Sequence, residues 1–135
     1  MLKYILVGIG SGILFGVMDG VINANPLAQK LYQVYIPIAR PSVNAPAGIA
    51  VDLVYGLVMA GLFVVLYKSL PGAAGWVKGL SFGLLAWFFR VLMNAASQWM
   101  MFNIPSGTLA YMLLAGLGEM LVIGVLYGLT LRPAR

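Results

Sequence analysis

The sequence predicts an all-α, polytopic membrane protein: an antiparallel four-helix transmembrane bundle built from two tandem helical hairpins, as a single membrane domain over residues 1–135. Three observations carry that expectation. Four apolar segments, about residues 4–22, 48–68, 76–101 and 107–130, are each long enough to cross the ~30 Å hydrocarbon core of a bilayer. The chain is 62% hydrophobic and 8% charged, where a soluble domain carries about 25% charged residues, so it has too few polar side chains to coat a globule in water. Its two halves also resemble each other.

The first segment follows Lys3 and ends near Ala24, an arrangement a cleavable signal peptide would share. Its spanning length and the late position of Asp19 instead predict a retained first transmembrane helix. Asn25-Pro26 then reads as a helix cap followed by proline at the first helical position. Leu27, Leu31, Val34 and Tyr35 fall on one face, with Gln29, Lys30 and Gln33 opposite. An amphipathic helix over 26–36, lying on the membrane surface and stopped at Pro37, is expected. Ser69-Leu70-Pro71-Gly72 separates the second and third spans, and Asn103-Ile104-Pro105 the third and fourth. In the third span Trp76 and Trp99 stand 23 residues apart, roughly 35 Å on a helix, the distance between the two interfaces that tryptophan favours.

The repeat is visible when 8–24 is laid over 79–95. Gly8 meets Gly79, Gly12 meets Gly83, Leu14 meets Leu85, and Asn23-Ala24 meets Asn94-Ala95, all at an offset of 71. The second and fourth helices open alike, Asn44 to Gly48 against Asn103 to Gly107 at an offset of 59, and both later carry Val-Leu-Tyr. Repeats of two helices each would be related by an axis along the membrane normal. Lys3, Lys68, Lys78, Arg132 and Arg135 fall on one side of the bundle and Lys30 and Arg40 on the other. That bias predicts an inner-membrane protein with both termini cytoplasmic.

All three acids, Asp19, Asp52 and Glu119, lie inside spans, as does Arg90. A permanent charge in hydrocarbon costs at least ~2.5–3.5 kcal/mol, so these groups are expected to find one another. The repeat sets Asp19 opposite Arg90, and Asp52 lies about one turn below the same surface. Both acids are therefore expected to pair with Arg90 in a polar cluster that takes in Asn94 and Gln98, which share a helical face with Arg90 and Ser97. Three acids against one cation leave an excess of negative charge, so at least one is expected to hold a proton. Glu119, placed deepest and furthest from Arg90, is the candidate proton carrier. Gly8, Gly12 and Gly16 on the first helix and Gly116 on the fourth provide the small-residue stripes that let membrane helices approach.

Cysteine and histidine are absent, which removes thiol nucleophiles, disulfides, imidazole bases and thiolate or imidazole metal sites. The methionines are scattered as packing residues are, and no metal or other cofactor is expected. The net charge of +5 is dispersed and gives nucleic acid no basic patch. With no phosphate-cradling loop either, the chain is not expected to be an enzyme. In size and span number it is similar to the small fluoride channels and to the small multidrug exporters. The Thr- and Phe-rich pore stretch of the first has no counterpart here, and Asp19 sits too late in its helix for the second, so no site residue carries over. The expected function is that of a small transporter or channel, or alternatively an accessory or scaffold membrane subunit whose charges only lock helix packing. The expected partners are the lipid bilayer and either a second copy, as a homodimer, or another membrane subunit.

Overall fold

The computed structural model describes residues 1–39, 41–42 and 44–131. Arg40, Arg132 and Arg135, three of the cations used for the orientation, lie outside them. The described residues form α1 (Leu2–Ala24), α2 (Pro26–Leu31) continued by a 3₁₀ stretch (Tyr32–Ile38), α3 (Ala45–Leu66), α4 (Gly75–Trp87), α5 (Met93–Met101) and α6 (Ser106–Thr130). A π-helical stretch, Phe88–Leu92, joins α4 to α5 without a break. Four helices are thus long and apolar enough to cross a membrane: α1, α3, the joined Gly75–Met101 helix and α6.

The apolar side chains point outward. On α1, Ile9, Ile13, Val17 and Val21 recur every four residues and all are exposed; on α3, Val51, Val54, Val58, Leu62 and Val65 recur every three or four and are exposed too. Inside lie the aromatic rings of Phe15, Phe63, Phe82 and Tyr127, together with the polar side chains of Ser11, Thr108 and Glu119. An apolar rind around an interior that holds polar groups suits a protein whose solvent is hydrocarbon.

Glycine sets the packing, because helices in lipid gain from close backbone contact rather than from escape from water. α1 packs chiefly on α3, and α4 on α6. At Gly12 a Cβ would lie 2.7 Å from the Asp52 carbonyl oxygen and 2.8 Å from Leu53 Cα; at Gly83 it would lie 2.7 Å from the Met120 carbonyl oxygen. No other residue fits these crossings. The two pairs meet along α1 and α6, where a buried network joins three helices. The Tyr127 hydroxyl donates to Ser11 Oγ at 2.8 Å and lies 3.2 Å from the Gly56 carbonyl, while Ser11 donates to the Gly8 carbonyl at 2.9 Å. At the α3–α4 loop, Gly72 turns the chain at φ +113°. The Lys78 ammonium there donates to the carbonyls of Tyr67 at 2.9 Å and Leu70 at 2.7 Å. It thereby satisfies acceptors that the end of α3 leaves open.

The segment after α1 differs from the expected surface helix. Asn25 caps α2, its side chain accepting from the Ala28 amide at 2.8 Å, but the α-helix ends at Leu31 and tightens to 3₁₀. In a 3₁₀-helix residues three apart eclipse. Tyr32 and Tyr35 therefore stand on one edge, ring centres 5.9 Å apart, with Tyr32 set edge-on to Tyr111 at 5.7 Å. The segment packs against the start of α6. Thr108 Oγ1 donates to the Leu31 carbonyl at 2.6 Å, while Leu27 and Val34 stay exposed, as the lipid-facing side chains of α1 and α3 are.

Candidate functional site

Arg90 sits in the π-helical stretch. A π turn takes in one more residue than an α turn, which rotates the following side chains by roughly 100° relative to an unbroken helix. With Val91 seated on Gly116 of α6, Arg90 points into the space between the helix pairs. Its Nη1 donates to Glu119 Oε1 at 3.1 Å. Its guanidinium centre lies 4.9 Å from the Tyr55 ring and 5.4 Å from the Phe15 ring. One side chain from each of the four spanning helices thus closes on this point. Ring faces attract a cation and carboxylates bind it, so the guanidinium is solvated by protein in place of water.

The ion pair is asymmetric. The Glu119 side chain is 3% exposed and the Arg90 side chain 31%. The pair borders a cavity of about 480 Å³. Asp19 and Asn23 of α1, Tyr32 of the 3₁₀ stretch, Arg90, Asn94 and Glu119 all line it. The Asp19 carboxyl lies within hydrogen-bond reach of Glu119. Tyr32 roofs this space. Burial first, then the neighbouring Tyr111 and Tyr35, push its phenol up to about 12, and burial also raises Tyr35. The roof therefore offers neutral hydroxyls.

Three expectations need correction. Glu119, set furthest from Arg90, is its ion-pair partner. Counted from the adjoining helix ends at Ser106 and Met101, the two residues lie 13 and 11 positions in. That is a difference of roughly 3 Å in depth, less than an arginine side chain spans. Asp52, assigned to the cluster, does not line the cavity. It faces a separate cleft between α1 and α3, where a Cβ on Gly16 would lie 3.0 Å from its Oδ2. It remains within electrostatic range of Asp19 and Arg90. Gln98 is bound by the roof: the Tyr35 hydroxyl donates to its Oε1. Asp19, Arg90, Asn94 and Glu119 are brought together.

Sequence reasoning missed Phe15 and Tyr32 as members of the site, and Ser11 and Tyr127 as the network beneath it. Phe15 carried no signal that would separate it from a lipid-facing phenylalanine. Tyr127 did, as a hydroxyl deep within a span, where an unpaired polar group is costly. Comparison of the chain with protein families, with curated proteins and with solved structures finds no match.

Proposed function

We propose that this is a small membrane transporter rather than an enzyme, with the polar cavity as its solute site and Glu119 as its proton carrier. The observation that carries this reading is the open ion pair. A charge pair that serves only to lock helices has no need of open space, whereas the Arg90 side chain is 31% exposed and borders a polar cavity large enough for a small solute. Glu119 has two neighbours with opposite demands. Arg90 binds its carboxyl at 3.1 Å, and Asp19 stands beside it on the same cavity wall. When Arg90 turns to a solute or to Asp19, Glu119 takes up a proton; when Arg90 returns, the proton leaves. Solute and proton are then coupled through one guanidinium.

The finer architecture belongs to the same reading. Gly8 meets Leu57 and Gly12 meets Leu53, while Gly79 meets Val125 and Gly83 meets Leu121. Partner numbers fall as α1 and α4 advance, which supports antiparallel hairpins. The first helices correspond at an offset of 71 and their partners at 68. This supports a tandem repeat in which the second helices match by their crossing points, not by their opening Asn-X-Pro motifs. The cation bias of the loops supports cytoplasmic termini and an inner-membrane location. A second copy, as a homodimer, or another membrane subunit would complete a path across the bilayer.

The accessory-subunit reading has its own support: Gly10, Gly20, Gly48 and Gly118 stand with open space over their Cα atoms, as surfaces that dock another helix do. Proteoliposomes with an entrapped pH-sensitive dye separate the two. Under imposed gradients of amino acids, sugars, organic acids and inorganic ions, the wild type should move protons with at least one solute, and Glu119→Gln should not. Proton movement no greater than in empty liposomes for every gradient would overturn the transport reading and leave the accessory one.

A further inference from the structure

The two helix pairs meet along α1 and α6, and on the opposite flank α3 and α4 part to leave a cleft open to the surroundings. Its walls are apolar, among them Met59, Leu66, Phe82, Leu85 and Phe89, with Tyr55 and the Arg90 side chain at its deep end. A second hollow of about 500 Å³ shares Leu66 and Leu85 with it and continues to the α3–α4 loop, where Ser69, Pro71 and Ser81 line the mouth. From Leu66 to Tyr55 is eleven residues, so the cleft runs roughly 16 Å along α3, the depth of one leaflet's ~15 Å of hydrocarbon.

Its width decides what fits. A volume of about 430 Å³ over that length gives a mean cross-section of roughly 27 Å², a third of the ~80 Å² of a helix ~10 Å wide. A single hydrocarbon chain lies within such a groove, whereas a helix of a second copy could only lie across its open side. The charge at the mouth decides the headgroup. Lys68 is exposed beside Ser69. Lys78 holds the Leu70 and Tyr67 carbonyls and stands 5.1 Å from the centre of the Tyr67 ring, so its charge is fixed beside the same loop. Lys3 begins α1 at the same end, since Tyr4 donates to the Leu57 carbonyl. No acid lies within ten residues of these lysines in sequence.

We propose that the α3–α4 cleft is a binding site for a phospholipid with an anionic headgroup, one acyl chain filling the cleft up to Tyr55 and the phosphate at Lys68 and Lys78. The lipid fills the seam that the protein leaves open between its two helix pairs. The cleft shares Arg90 and Tyr55 with the polar cluster, but the lipid site does not rest on the transport reading.

Native mass spectrometry of the purified protein, offered phosphatidylglycerol or phosphatidylcholine of matched chains, tests this. Wild type should retain one phosphatidylglycerol in preference to phosphatidylcholine. Lys68→Glu, an exposed substitution, should lower that preference by ~5-fold or more, the worth of one basic residue at an anionic surface. Leu85→Trp, which fills the cleft, should lose retention of both lipids. Chainless glycerophosphoglycerol should not compete. Equal retention of the two lipids by wild type, undiminished preference in Lys68→Glu, or full competition by the chainless headgroup would each overturn the proposal. So would a wild-type dimer that Leu85→Trp dissociates in the absence of lipid.

Discussion

Removing the Arg90 guanidinium leaves Glu119, whose side chain is 3% exposed, either ionised without its partner or neutralised at the cost of taking up a proton. Breaking one side of a buried pair costs about 3–5 kcal/mol, and the two ring contacts at 4.9 and 5.4 Å add ~0.5–1 kcal/mol each. Arg90 is itself 31% exposed and part of that cost is screened, so the expected loss for Arg90→Ala is about 3–4 kcal/mol. Glu119→Gln keeps an acceptor for Nη1 and leaves the stranded charge on the more exposed partner, beside Asp19; it should cost only ~1–2 kcal/mol. With Arg90 gone, a neutral amide is easier to bury than a carboxylate. The double variant should therefore be more stable than Arg90→Ala alone, with a coupling of at least ~1 kcal/mol. Reversible unfolding in mixed dodecylmaltoside and SDS micelles, followed by tryptophan fluorescence, measures all four corners of the cycle. An Arg90→Ala protein within ~1 kcal/mol of wild type, or costs that simply add, would refute the claim that this pair is buried and coupled.

Gly12→Ala should destabilise by ~1–3 kcal/mol in the same assay, because its methyl would press on the Asp52 and Leu53 backbone. Gly10→Ala, which meets open space, should be neutral or slightly stabilising. Tyr127→Phe removes the hydroxyl that donates to Ser11 and should cost about 1–2 kcal/mol; no loss would mean that the network does not hold α6 to α1. Tyr32 should stay protonated to about pH 12 when ultraviolet titration of wild type is compared with Tyr32→Phe. Its folded value lies above the unfolded one near 10. Its contribution to stability is therefore full below about pH 10 and is lost as pH rises through about 12. A phenol that ionises near 10 would show that the roof is not packed over the cavity.

Much of this molecule was legible before any coordinates. The four spans emerge within three residues of the apolar runs that announced them, because run length and bilayer thickness are matched directly. Gly8, Gly12, Gly79 and Gly83 stand at the helix crossings, because in lipid only small residues allow them. That the intramembrane charges gather could also be reasoned, since hydrocarbon offers them nothing else. The pairing itself could not. Depth along a straight helix fixes height but leaves rotation about the axis open, and the π-helical stretch at Phe88–Leu92 changes that rotation where Arg90 lies. Asp52 illustrates the same limit: it lies within electrostatic range of Arg90 and yet faces the neighbouring cleft.

Composition and periodicity therefore settled the solvent in which this chain folds and the number of helices that cross it, since both depend on quantities summed over about twenty residues, which no single contact can alter. Which carboxylate answers Arg90, which hydroxyls hold α1 to α6, and where a cavity stays open depend on helix rotation and crossing to within an ångström or two. Those are properties of residues far apart in the chain, such as Arg90 and Glu119 or Ser11 and Tyr127, and they exist only once all four helices have packed.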